Sequence, residues 1–134
     1  MGESLTGDIM VCLDTSILID YLNGNEGIIG IVKSYLEREK LSTTSVTEYE
    51  LLKHPDETKR NEAQEFLLTI KVYNLDQEAA NKSSQIYRDL RIRGKPINEN
   101  DILIAGIATA NKESILTRDP DFKNIEESNR IIVV

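Results

Sequence analysis

The chain has 134 residues, 40% hydrophobic and 29% charged, enough apolar material for one domain with a buried core. Its formal net charge of −7 argues against holding a polyanion by bulk charge alone; such a ligand needs a metal bridge, a local basic patch or both. The one cysteine excludes an internal disulfide, and no run approaches the roughly 18 apolar residues of a membrane span, so a cytoplasmic protein without membrane attachment is expected.

Residues 1–8 carry acids and glycines instead of the basic start and apolar stretch of a secretory signal, and are expected to be a flexible leader. A single domain is expected over 9–134. Ile9 to Leu13 is five apolar residues in a row, which suits a strand buried on both faces. Thr15 or Ser16 can cap the next helix, expected over 15–22, with Ile17, Leu18, Tyr21 and Leu22 on one face. Asn23-Gly24-Asn25 is a turn, and 27–38 is a second helix. A short strand spans 41–44; a helix then starts at Ser45 or Thr47 and stops by Pro55.

Residues 57–70 predict another helix and 72–75 a strand. Asp76 caps a helix running to Ile92, with Gly94 as its C-terminal stop. Pro96 to Asn100 is a loop, and Asp101 to Asn111 a nearly all-apolar, buried helix. Ser114 to Thr117 is a strand, Arg118 to Asn124 a loop, and Ile131 to Val134 a last strand. Strands alternate with helices throughout, so the expected class is α/β with a mainly parallel central sheet.

Four carboxylates stand where apolar elements begin or end: Asp14, Glu50, Asp101 and Asp119. Each has a local explanation. Asp14 can cap the first helix, Glu50 can form a capping box with Thr47, Asp101 suits a helix dipole, and Asp119-Pro120 suits a turn. Glu48 competes with Glu50, since it pairs with Ser45 in the same way. Convergence is the other reading. Two carboxylates about 4 Å apart repel by roughly 4 kcal/mol at an effective dielectric of 20, so a cluster persists only if it takes up protons or a cation. An all-oxygen set suits Mg²⁺ or Mn²⁺, whereas the lone His54 and the apolar setting of Cys12 argue against zinc.

No Gly-rich phosphate loop, Gly-x-Ser-x-Gly elbow or dinucleotide fingerprint is present. Arg88, Arg91, Arg93 and Lys95 cluster at one helix end, and Arg118 and Lys123 flank Asp119. They are either favourable helix-end charge or a phosphate-contacting rim around an acidic centre. Tyr21, Tyr49 and Tyr87 are either core residues or base-stacking platforms.

The segment Val11 to Asp20, with Asp14-Thr15-Ser16 at its centre, resembles the opening signature of PIN-domain ribonucleases, in particular VapC-type toxins of prokaryotic toxin–antitoxin pairs. Thr44 to Leu52, Asn100 to Ala108 and Leu116 to Phe122 resemble the second, third and fourth motifs in family order. In the second the family's acid precedes a leucine, which favours Glu50 over Glu48. A glycine commonly follows that motif; Lys53-His54-Pro55 stands there instead, and altered local geometry with an intact acid is expected.

The resemblance implies a Rossmann-like α/β/α sandwich and an Mg²⁺- or Mn²⁺-dependent ribonuclease. Asp14, Glu50, Asp101 and Asp119 carry over as the acids, with Thr15, Ser16, Thr117 and Asp121 in support. It also implies a homodimer, an RNA substrate and a cognate antitoxin over the acidic cleft; a basic antitoxin segment would suit a −7 chain. The rivals are a housekeeping PIN nuclease in RNA maturation and a non-catalytic, partner-binding PIN module. A phospho-acceptor domain fits less well, for want of a lysine at a strand end.

Overall fold

The computed structural model describes residues 10–125 and 130–134; the expected leader and the start of the first strand at Ile9 lie outside them. Among the described residues, β1 (Val11–Leu13), β2 (Leu41–Thr44), β3 (Lys71–Tyr73), β4 (Ser114–Thr117) and β5 (Ile131–Val133) form one parallel sheet in the order β3-β2-β1-β4-β5. The helices are α1 (Thr15–Leu22), α2 (Glu26–Glu37), α3 (Ser45–Leu52), α4 (Glu57–Leu67), α5 (Gln77–Ile92) and α6 (Glu99–Ala110).

The central strand runs Val11, Cys12 and Leu13, all fully buried, so both faces must be covered. Side chains alternate along it. Val11 and Leu13 join a core with Ile17, Leu18, Ile28, Val32, Ala63 and Leu116, contributed largely by α1, α2 and α4. Cys12 joins the opposite core with Ala79, Ile86, Leu90, Ile104, Ile107, Ile115 and Phe122, built by α5 and α6. These two layers around the sheet are the expected α/β/α sandwich. The chain passes outward from β1 through β2 to β3, then returns to lay β4 on the other flank of β1. The strand order therefore reverses between β1 and β4, and a crevice at the carboxyl ends of two such strands is where open α/β sheets place ligands.

Several expected boundaries shift. The first helix is capped by Asp14, not by Thr15 or Ser16: its Oδ1 accepts from the Ile17 N–H at 3.1 Å, which puts both hydroxyl residues inside α1. Thr44 caps α3, taking the Thr47 N–H at 3.1 Å, so no Thr47–Glu50 capping box forms. α4 stops at Leu67, three residues early, because the Thr69 N–H and hydroxyl both turn back to the Phe66 carbonyl. β3 runs Lys71–Tyr73, earlier than expected, set by the pairing of Lys71 with Ser42. α6 starts two residues early, at Glu99, with Asn98 as its cap. The loop after β4 contains a 3₁₀ turn, Pro120–Asn124. Gly94 closes α5 at φ +69°, as expected of a left-handed stop. After α3, Lys53 has ordinary right-handed backbone (φ −80°), so the missing family glycine leaves no strain.

α5 and α6 pack closely at Gly106. A Cβ there would stand 1.9 Å from Ser83 Oγ, 2.8 Å from Ser83 N and 2.9 Å from the Ala79 carbonyl. The serine hydroxyl can rotate away; the two backbone atoms cannot. Gly106→Ala is expected to cost about 1–3 kcal/mol by forcing the helices apart. It should appear as a lower urea midpoint, and adding Ser83→Ala should recover only part of the loss.

Candidate active site

Asp14 follows β1 directly and is 2% exposed. An ionised carboxylate at such a depth needs donors on its oxygens. Oδ1 accepts from the Ile17 N–H and from Ser16 Oγ at 2.8 Å; Oδ2 accepts from Thr117 Oγ1 at the end of β4. Burial still pushes the Asp14 carboxyl above its usual range, against the pull of these three donors, and the nearby Asp119 charge adds to the rise. A carboxylate has about four lone-pair positions, so among the described residues one stays open beyond the three donors.

Thr117 links two of the acids. Its buried hydroxyl accepts from the Asp119 N–H at 2.9 Å and gives its own hydrogen to Asp14. Asp119 in turn caps the 3₁₀ turn, with Oδ1 accepting from the Asp121 N–H at 2.9 Å. The turn reading of Asp119 is thus correct as local structure, and the same turn brings it beside Asp14. Asp121 is exposed at the rim.

Glu50 arrives from α3, the helix after β2. Its Oε1 accepts from the Thr15 hydroxyl and its Oε2 from Asn100 Nδ2 at 2.9 Å. Thr47 Oγ1 lies 3.1 Å from the same Thr15 hydroxyl, inside the core. The rival acid Glu48 faces the other way, toward Gln64, Leu67 and Asn74. By its place in the sequence Asn100 is only the last loop residue before the buried helix. Asn98 caps the helix, accepting from the Asn100 N–H at 2.9 Å, and the Asn100 side chain reaches Glu50.

Asp101 occupies the first turn of α6, where the helix dipole favours a charge. Its carboxyl nevertheless rises to about 6, first through burial and then through the charges of Asp14, Asp119, Glu50 and Asp121. The structure therefore brings the four expected acids into one electrostatic neighbourhood at the β1–β4 crevice. Among the described residues none of the four has an ion-pair partner.

A divalent cation is the neutraliser that this donor set suits: hard carboxylate oxygens backed by hydroxyls and an amide, with no thiolate or imidazole among them. Among the described residues no three of His, Cys, Asp and Glu form a ready-made metal cage. An Mg²⁺ ion here would keep several waters, with carboxylates supplying only part of its shell.

The remaining candidates separate cleanly. Tyr21 packs against Phe66 with ring centroids 4.8 Å apart, a core role, while Tyr49 and Tyr87 are exposed. Arg93 ties itself to Asp89 and to the Asn124 carbonyl, so it braces the end of α5. His54 Nδ1 accepts from the Asp56 N–H at 3.0 Å in the turn after α3, an ordinary helix-end role.

The family model for the PIN domain matches residues 11–128, across all four acids. The chain belongs to the PIN-domain family. No curated protein matches it by sequence. Among solved structures, the fold is similar to a chain of VapBC2 from Rickettsia felis bound to a DNA fragment from their promoter: 18% identity, TM-score 0.80, 92% of this chain and 97% of that one. It is similar to a chain of DNA-bound VapBC from Salmonella typhimurium, at 23% identity and TM-score 0.80, over 92% and 96%. A chain of VapBC-5 from Mycobacterium tuberculosis, a member of the VapBC family of toxin–antitoxin systems, shares 25% identity at TM-score 0.68, over 95% and 99%. Among the described residues of this PIN domain, no helix is long and apolar enough to cross a membrane.

The raised Asp101 carboxyl makes the PIN crevice a stability cost at neutral pH. A carboxyl that binds its proton more tightly when folded favours folding below its ordinary pKa, and that contribution disappears as pH rises through about 6. Asp101→Asn carries no charge at any pH. In EDTA it is expected to raise the melting temperature by several degrees at about pH 7.5, with the gain shrinking toward pH 4. Thermal denaturation at the two pH values reads this directly; an equal gain at both would contradict it.

Proposed function

We propose that this PIN domain is an Mg²⁺- or Mn²⁺-dependent ribonuclease and the toxin of a VapBC-type toxin–antitoxin pair. The observation that carries the reading is the Asp101 carboxyl, raised to about 6 by burial and by Asp14, Asp119, Glu50 and Asp121, with no protein cation paired to the four acids among the described residues. A buried excess of like charge is costly, and a fold retains it where a cation is to be held.

A bound divalent ion supplies Lewis-acid polarisation of a phosphoryl oxygen and a lowered pKa for water. The chain's own groups do the rest. Asp14, Asp101 and Asp119 would hold the ion, directly or through water. Ser16, Thr117 and the Ile17 N–H keep the Asp14 carboxylate in one orientation. Glu50, held by Thr15 and Asn100, orients the attacking water and accepts its proton. Protonation of Asp101 below about pH 6 competes with ion binding, so cleavage falls on that side.

The similarity in fold to chains of VapBC complexes supports the toxin assignment and, with it, a cognate antitoxin. A basic antitoxin segment laid over the crevice would meet charge complementarity from a −7 chain. The RNA substrate, the homodimer and the cytoplasmic location belong to the same proposal.

The deciding experiment is cleavage of RNA by the purified protein with Mn²⁺, with Mg²⁺ and with EDTA. Cleavage is expected only with metal. Asp14→Asn should reduce it by at least about 10²-fold, while near-native circular dichroism shows an intact fold. Saturating Mn²⁺ should stabilise the parent by about 2.7 kcal/mol at 100 times its Kd and Asp14→Asn by much less. Complete absence of Mn²⁺ binding would leave the partner-binding module as the better reading.

A further inference from the structure

RNA brings more negative charge to a crevice that is already acidic, so a protein cation at its rim would help a bound metal ion to hold the phosphates. Several described cations are committed elsewhere: Arg93 to Asp89 and Asn124, Arg60 to the carbonyls of His54 and Pro55, Lys59 to Asn23. Lys53 and Arg91 lie over the rings of Tyr49 and Tyr87.

Arg118 differs. It sits between Thr117 and Asp119, so its backbone is part of the site. Its N–H donates at 3.3 Å to Ser16 Oγ, the hydroxyl that donates to Asp14. Its guanidinium projects to the open rim, where Nη1 meets Asp20 Oδ2 at 2.8 Å, with the side chains 42% and 34% exposed. Such an exposed pair contributes little to stability. A guanidinium carries five donors in a planar fork; one is used here, and among the described residues no other acceptor takes the rest. The fork meets Asp20 through one nitrogen and has donors to spare for a phosphate oxygen pair.

We propose that Arg118 contacts substrate phosphate at this site and that Asp20 is the positioning residue that aims it. The inference rests on the ribonuclease reading. It names a guanidinium–phosphate contact beside the four acids and gives the Asp20–Arg118 pair a role beyond bracing α1 against β4.

The test is steady-state cleavage of a short single-stranded RNA with Mn²⁺ across a salt series. Arg118→Ala should raise KM roughly tenfold with a smaller change in kcat. It should also lower the slope of log(kcat/KM) against log[salt] by about 0.7–1, the signature of one lost phosphate contact. Arg118→Lys should restore the slope without the full affinity. Asp20→Asn keeps the cation, so its slope should equal the parent's while KM rises by less than in Arg118→Ala. An Arg118→Ala slope equal to the parent's would overturn the proposal. So would Arg118→Ala and Asp20→Asn losing melting temperature and activity in step, which would make the pair a brace only. If the parent protein does not cleave RNA at all, the ribonuclease reading falls and this inference with it; cleavage with an unchanged slope sinks this inference alone.

Discussion

Everything at the crevice depends on one buried carboxylate. Asp14 stands at the point where β1 ends and α1 begins, almost without solvent, and its neighbours are chosen to tolerate it. Three donors converge on its two oxygens, from α1 and from the end of β4. The Thr117 contact crosses the seam at which the strand order reverses, so the carboxylate holds together the two strands whose carboxyl ends form the site. It is at once a helix cap, a strand-to-strand link and the deepest oxygen of an acidic cluster. A local capping role and a functional one are not alternatives here; the cap is what fixes the orientation.

Hydroxyls organise the other acids in the same manner. Thr15 and Asn100 hold Glu50, and Thr117 passes a hydrogen-bond direction from Asp119 to Asp14. Oriented neutral donors keep each carboxylate in place without cancelling its charge. The uncancelled charge shows in Asp101, whose carboxyl rises although it sits at a helix N-terminus. Burial and like charges outweigh the dipole.

The other edge of the sheet handles a buried acid differently. Glu113, 2% exposed, accepts from Ser42 Oγ and from Tyr73 Oη, both at 2.8 Å. Burial and that carboxylate push the Tyr73 hydroxyl up to about 12, so it stays a donor. One acid with hydroxyls on both oxygens is a closed structural unit. At the crevice several acids share too few donors, and the excess is available for chemistry.

Much of this was legible in the residue order. The apolar run at β1, the alternation of strands and helices and the four acids at element ends each depend on neighbours within a few positions, where side-chain period and capping chemistry act. α1 and β4 fall where the pattern puts them, and the PIN motifs stand in family order. Less local matters were not legible: that Asn100 reaches a residue 50 positions away, that Thr117 bonds a carboxylate 103 positions away, and that Arg118 meets Asp20. Helix period alone leaves Glu48 and Glu50 equally eligible, so the choice of Glu50 rested on the motif resemblance, and a hydroxyl or amide has no sequence signature for its partner. Those choices were made by the stacking of strands in register and the close approach of helices, which bring distant donors and carboxylates within 3 Å of each other.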